Sequence, residues 1–391
     1  MSDSKTISYR KQLQNNHEDI LELLEKLISE KSTVDNNVNI DNCYEIVLSY
    51  LKDMPFQHEF SVEKDLKSLI IDYGKTANSQ PSLIFLGHVD VVPCNTDWST
   101  DPFKLTKKSG YLFGRGVTDM KGGIACFLKA FKMLVISNEI NGKHIRIILT
   151  GDEEVGSDRG TKTLINKGLV KGSAAICGEP TNLNIYNGSR GLIWGQVEIF
   201  GKSGHAGFGT DFFNPVGKLA EVIDGLSKFD LKMSHKEFPN SNSKINITTL
   251  YTENTTLNTI PYSTTFGFDL RILPGIQILD LKSKISFFLD SIIKHPFSYE
   301  LNIVREWPAY YLDKSNNFLL TSVHQLNQVN PIKILDVDQA SDDSSWLAME
   351  GIPTILYGPG DPLEAHSSNE KVLLSDLLEA TEFYLLVLKN I

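Results

Sequence analysis

Residues 145–156 read IRIILTGDEEVG. The apolar, β-branched run at 145–149 fits a strand buried on both faces, and it ends at Thr150 and Gly151 before three consecutive acids, Asp152, Glu153 and Glu154. In open α/β sheets the C-terminal edge of the strands is where ligands bind. Adjacent carboxylates held there repel one another and lose hydration, and a cation relieves both costs. Alone, DEE after a strand reads as a solvated acidic turn. Other stretches of the chain change that reading.

His88 and Asp90 follow the apolar run SLIFLG, again at the end of a predicted strand. A spacing of two puts both side chains on one face of an extended chain, which suits an imidazole metal ligand oriented by a carboxylate on its other ring nitrogen. Asp119 lies in GRGVTDMKGG beside a helix start, a position that by itself reads as an N-cap. Glu179 ends AAICGEP and is pinned by Pro180, while His366 sits in the loop YGPGDPLEAHSSNE, where it reads equally as a surface histidine. Jointly, His88, Asp119, Glu154, Glu179 and His366 are expected on loops that each leave a strand of one sheet. Hard oxygen ligands with imidazole and no thiolate suit zinc, with cobalt or manganese as substitutes. They exceed the needs of one tetrahedral ion, which favours two metals sharing a carboxylate.

The chain has 391 residues, 41% of them hydrophobic, enough for two ordinary domains and not for a disordered protein. A net charge of -10 without a long basic run argues against a nucleic-acid groove and an anionic membrane surface. Cys43, Cys94, Cys126 and Cys177 stand singly, so neither a thiolate zinc knuckle nor a disulfide framework is indicated. The first residues, MSDSKTISYRKQ, lack an apolar h-region, and no segment approaches ~20 uninterrupted apolar residues. The expectation is a soluble cytoplasmic protein with no membrane partner.

Helical spacing at Ile20 to Ile28 and Tyr44 to Leu51 predicts two opening amphipathic helices. Strands follow at 68–72 and 82–86, then a hairpin around Gly110, a helix over 123–136, the strand 145–150, a helix over 160–166 and a strand at 174–177. This alternation predicts an α/β fold, a mostly parallel sheet with flanking helices. From about Ile185 the texture changes: strands at 193–200, 244–252 and 264–272 alternate, with helices over 215–229 and 278–293 and a polar loop at 240–243. After Pro308 come a helix over 318–329, strands at 332–337 and 354–357, and a closing helix over 376–389. A catalytic domain of residues 1–184 and 306–391, interrupted by an inserted α+β domain of residues 185–305, is the organisation expected.

In order, GHVDVVP, GRGVTDMKGG, TGDEEVGSDRGT, CGEPT and GPG with AHSSNE closely resemble the dinuclear-zinc aminoacylase and metallopeptidase family of succinyl-diaminopimelate desuccinylase and acetylornithine deacetylase. The resemblance runs from about Phe85 to Glu370. It implies that His88 and Glu179 bind one zinc, Glu154 and His366 the other, and that Asp119 bridges. It also implies that Asp90 orients His88 and that Glu153 is the general base, taking a proton from the metal-bridging water and delivering it to the leaving amine. The inserted domain matches the family's lid and dimerisation domain. Its marks are GKSGHAG with His205, LNTIP with Asn258 and FDLRILPG with Arg271, to which SRG adds Arg190. In relatives the histidine is an oxyanion donor reaching across a twofold homodimer, and the arginine meets a substrate carboxylate.

GRGVTDMKGG and SRG lean towards the desuccinylase, whereas YGPGDPLEAHSSNE is more like acetylornithine deacetylases and related peptidases. The leading expectation is removal of an acetyl or succinyl group from a small N-acylated amino acid. A dipeptidase or carboxypeptidase would share every ligand. A catalytically inactive binding protein is disfavoured, because Glu153 and all the ligands are intact.

Overall fold

The chain, described by a computed structural model, is placed throughout except at residues 1, 77–78, 209–212, 240–243 and 255, with side chains described from residue 9 onward. The polar loop expected at 240–243 therefore lies outside the described residues. Two units emerge: Met1–Gly188 with Leu312–Asp338 and Asp342–Ile391, and Ser189–Tyr311 with Gln339–Ser341. The second interrupts the first in sequence.

In the first unit, Leu83–His88 and Ile145–Thr150 are buried at every position, as strands covered on both faces must be. They pair in parallel, His88 opposite Thr150, and Leu83–His88 also pairs in parallel with Ala175–Cys177, Leu86 opposite Cys177. Thr354–Leu356 continues the parallel set, Leu356 opposite Cys177. These registers align four strand ends, so the loops carrying His88, the acid triplet, Glu179 and His366 leave from one edge. Antiparallel strands flank this core, Phe56–Glu63 and Leu66–Tyr73 on one side and Ile185–Ser189 on the other. The mixed sheet with a mostly parallel centre is the fold class expected from the sequence.

Helices Lys121–Ile136 and Leu374–Asn390 form the core against the central strand. Phe85 stacks on Phe127 with ring centroids 3.9 Å apart, and Tyr384 meets both edge-on. Each such ring taken fully out of water contributes about 1.5–3 kcal/mol, so this trio anchors the strand that delivers His88. Lys121 is buried in the same helix and donates to Leu27 O at 2.8 Å and Glu30 O at 3.0 Å.

Three differences from the sequence reading stand out. Three helices rather than two open the chain, Ser2–Asn15, Glu18–Ser29 and Asn37–Leu51, the first being too polar to show an apolar stripe. Strands Phe56–Glu63 and Ser298–Trp307 were not expected. The strand Tyr111–Phe113 before Asp119 belongs not to the large sheet but to a small one, between Thr106–Lys108 and Lys371–Leu373. Asp119 is thus the ligand candidate that does not leave the common sheet. The glycine-punctuated hairpin pairs with Lys371–Leu373 instead.

The second unit is an antiparallel sheet ordered Ile245–Tyr251, Ser263–Ile272, Gly191–Phe200, Ser298–Trp307, with helices Pro215–Lys228 and Ile278–Ile292. Asn214 caps the first helix by accepting from Val216 N, and Pro215 fits its opening turn. The four cysteines are free. No helix among the described residues is long and apolar enough to cross a membrane.

Candidate metal centre

Two groups of ligand atoms meet at the aligned strand ends, His88 with Asp119 and Glu179, and Asp119 with Glu154 and His366. His88 Nε2 lies 3.0 Å from Asp119 Oδ1 and 3.7 Å from Glu179 Oε1. His366 Nε2 lies 3.2 Å from Asp119 Oδ2 and 2.9 Å from Glu154 Oε2. Two ligand atoms about 2.1 Å from one tetrahedral zinc lie roughly 3.4 Å apart, so both groups have the span one ion requires. Asp119 turns one oxygen to each group, the geometry of a shared carboxylate. The donor set of imidazole and carboxylate fits two divalent ions. His366 holds φ at 60°, a left-handed conformation that non-glycine residues adopt at a cost and that recurs at functional sites.

The electrostatics reflect crowded acids. Burial pushes the Glu153 and Glu179 carboxyls well above the ordinary range and raises Glu154, and neighbouring negative charges add to each rise. Burial pulls the His88 imidazole down, but hydrogen bonds with Asp119 and Asp90 drive it well above its usual value. Hydrogen bonds to Asp119 and Glu154 push His366 up to about 10. Burial raises Asp119 as well, yet the hydrogen bonds from both histidines outweigh it and set that carboxyl below its ordinary value. Positive charge among these atoms is what relieves the repulsion.

The supporting residues explain how the loops hold their places. His88 Nδ1 is 3.0 Å from the backbone oxygen of Asp90 and 3.5 Å from its Oδ1, so the nearer partner is main chain rather than the carboxylate expected. Asp90 Oδ2 instead accepts from Glu154 N at 3.1 Å, linking the two loops. Ser32 donates to Val89 O at 2.6 Å between His88 and Asp90. Gly122 and Gly123 open the helix after Asp119, and a Cβ there would stand 2.2 Å from Val117 O and from Gly178 O respectively. Only glycine lets the helix start lie against the chain entering Glu179.

Glu153 opens the short helix Glu153–Val155 and belongs to neither ligand group among the described residues. In the second unit, Gly204–His205 pairs with Thr259–Ile260, and Ala206 N donates to Asn258 O at 2.8 Å, bringing His205 and Asn258 side by side. Arg271 Nη1 and the backbone oxygen of Arg190 both lie by Ser341 Oγ, at 3.5 and 2.7 Å.

Several buried polar residues escaped the sequence reading. Asp343 accepts from Ser157 and, at 2.5 Å, from Thr161, bracing the segment after the acid triplet, and burial pushes its carboxyl up to about 7. Asp342 beside it and the pair Arg115–Glu370 are likewise buried. Their signal was the acids in SDDSS and SSNE, which carry no local pattern of their own.

Residues 84–390 match the profile of peptidase family M20/M25/M40. A succinyl-diaminopimelate desuccinylase from Wolbachia pipientis subsp. Culex pipiens (strain wPip) is 30% identical over 383 residues, 95% of this chain and 93% of that protein. Among solved structures, a metallo-carboxypeptidase of the M20 family from Sulfolobus solfataricus superposes with a TM-score of 0.77 at 17% identity, covering 95% of this chain and 98% of that one. A dinuclear metal-binding M20 peptidase from Bacillus subtilis gives 0.70 at 14%, covering 96% and 98%. With the family profile spanning most of the chain and acid and imidazole ligands gathered at the strand ends, this chain belongs to peptidase family M20/M25/M40 and is a metal-dependent amide hydrolase.

Proposed function

We propose that the protein removes a succinyl or acetyl group from an N-acylated amino acid, using two divalent ions held by His88 and Glu179, by Glu154 and His366, and by Asp119 between them. The observation that carries this reading is the split of Asp119, Oδ1 3.0 Å from His88 and Oδ2 3.2 Å from His366. Zinc is the ion we assign, with cobalt or manganese as substitutes, since the ligands are imidazole and carboxylate without thiolate. Bound there, the ions supply Lewis acidity toward the scissile carbonyl and toward water.

Glu153 is the proton carrier. Its carboxylate takes a proton from the water whose oxygen bonds to the acyl carbon, and returns it to the amide nitrogen as the C–N bond breaks, leaving a free acid and an amine. Asp90 holds the His88 loop to the Glu154 loop through Glu154 N. His205 is assigned as donor to the developing oxyanion, contributed by the partner of a homodimer, and Arg190, Asn258 and Arg271 as substrate contacts. These roles rest on the family resemblance. The free cysteines agree with a cytoplasmic setting.

The test is a panel of N-succinyl-diaminopimelate, N-acetylornithine, N-acetylcitrulline and simple dipeptides, assayed with metal-stripped protein before and after adding zinc or cobalt. Hydrolysis of an N-acyl amino acid only after metal is restored is the expected result. Cleavage of dipeptides alone would reassign the protein as a peptidase. Full turnover by protein shown metal-free by elemental analysis would overturn the mechanism.

A further inference from the structure

One carboxylate beside the ligands has no part in the chemistry above. Glu370 has no exposed surface. Its oxygens accept from Arg115 Nη1 at 2.8 Å and from the backbone N–H groups of Gly116 at 3.0 and 3.1 Å, Thr118 at 2.8 Å and Asp119 at 3.1 Å. The segment thus wrapped around it is the one that leads into the shared ligand Asp119. Glu370 also lies in the segment of His366, and Arg115 Nη2 approaches His366 O at 3.5 Å.

Backbone pairing already joins these two segments. Lys371–Leu373 runs antiparallel to Tyr111–Phe113, Gly114 N donates to Glu370 O at 3.2 Å, and Thr118 Oγ1 donates to Lys371 O at 2.9 Å. A strand pairing of this kind needs no buried charge, and burying a carboxylate is costly unless its partners are well placed. The added carboxylate is aimed at the turn beyond the paired strands, up to the N–H of Asp119 itself. The hydrogen bonds it accepts all come from the Arg115 guanidinium and backbone N–H groups, and Trp98 covers that guanidinium from 5.3 Å, holding the fork in place.

We propose that Glu370, braced by Arg115, is a positioning residue that fixes Asp119 relative to His366, so that Asp119 Oδ2 and His366 Nε2 reach one ion. This rests on the ligand assignment above. Substitution by glutamine keeps the shape but sets an amide NH2 against Arg115 or the backbone N–H groups, and the turn carrying Asp119 shifts. Substitution by aspartate keeps the acceptors one methylene short.

The experiment titrates Co2+ by calorimetry into metal-stripped wild type, Glu370→Gln, Glu370→Asp, Arg115→Lys and His366→Ala, all as the full chain, with thermal unfolding of each metal-stripped form in parallel. Glu370→Gln should lower affinity about 10- to 100-fold at the same binding step that His366→Ala removes, the range typical of groups behind metal ligands. Its metal-free unfolding temperature should stay near wild type, and Glu370→Asp should recover part of the affinity. A lowered unfolding temperature with an unchanged isotherm would mean a purely structural role and overturn the proposal. Should Glu370→Gln fail to fold, Arg115→Lys decides: weakening at that same step supports positioning, and an unchanged isotherm refutes it. If His366→Ala keeps both steps, the ligand assignment itself is wrong. If His366→Ala loses one step and folded Glu370→Gln loses none, positioning alone is refuted.

Discussion

Gly123→Ala places one methyl group where the helix after Asp119 meets the chain entering Glu179. The new Cβ would stand 2.2 Å from Gly178 O, against a floor of 3.0 Å for real contacts, a deficit of about 0.8 Å that backbone must absorb. Ligand constellations tolerate displacements of about 0.5 Å, so a shift of this size at Gly178 carries Glu179 out of register with His88 Nε2, now 3.7 Å away. Two stability effects oppose one another: alanine favours the helix by about 1 kcal/mol, and overpacking costs about 1–3 kcal/mol. The net loss of stability is therefore small, and metal affinity is the more sensitive readout. Calorimetric titration of the stripped variant with zinc should show the affinity of one ion reduced at least ~10-fold. Gly217→Ala is the matched control, a helical glycine whose Cβ would meet nothing within 4 Å and which should gain roughly 0.5–1 kcal/mol. Wild-type metal binding by Gly123→Ala, with Glu179 confirmed as a ligand by its own alanine variant, would refute the reasoning.

Glu153→Gln should keep both metals and lose turnover by at least ~100-fold, whereas Glu154→Ala should lose or weaken one metal; equal metal loss in the two, read by elemental analysis, would reverse their roles. Burial raises the Asp72 carboxyl, but hydrogen bonds from Arg146 and His144 bring it down to about 2. With the folded value below the unfolded one, the stabilisation is complete above about pH 4 and is lost as pH falls toward about 2; it amounts to about 2 kcal/mol. Urea midpoints of wild type and Asp72→Asn should therefore converge across that acid range, and a constant gap would contradict the assignment. Finally, mixing inactive Glu153→Ala with inactive His205→Ala should restore about a quarter of wild-type activity if His205 serves the partner subunit, and none despite confirmed heterodimers if it serves its own.

The legible parts of the sequence were those where one local pattern answers one physical demand. Apolar runs at 83–87, 145–149 and 174–177 announced strands, the second of them buried on both faces, and the histidine or acids that follow each run announced the candidate ligand edge. Phe56–Glu63 was illegible because it is a half-exposed edge strand whose His58 and Glu59 break alternation. Ser298–Trp307 alternates, but a register shift between Ile303 and Arg305 sets the exposed Val304 beside Ile303 and blurs the period. Glu370 was beyond local reading for another reason: its partners lie 251 to 255 residues away. Asp343 answers to Ser157 and Thr161, 186 and 182 residues away, so the acids proposed as ligands could be picked out by motif, and those that brace could not.

The pairing of Lys371–Leu373 with Tyr111–Phe113 also orders events during synthesis. A ribosome making about 5–20 residues per second needs roughly 10–50 s to travel from Asp119 to His366. Throughout that interval the nascent chain carries His88 and Asp119 without the strand that fastens the hairpin and without His366, and Glu179 joins them on the way. The second candidate ligand group is therefore complete only when the segment that leads into the helix Leu374–Asn390 has been made, so that group and the covering of the core by this helix arrive together.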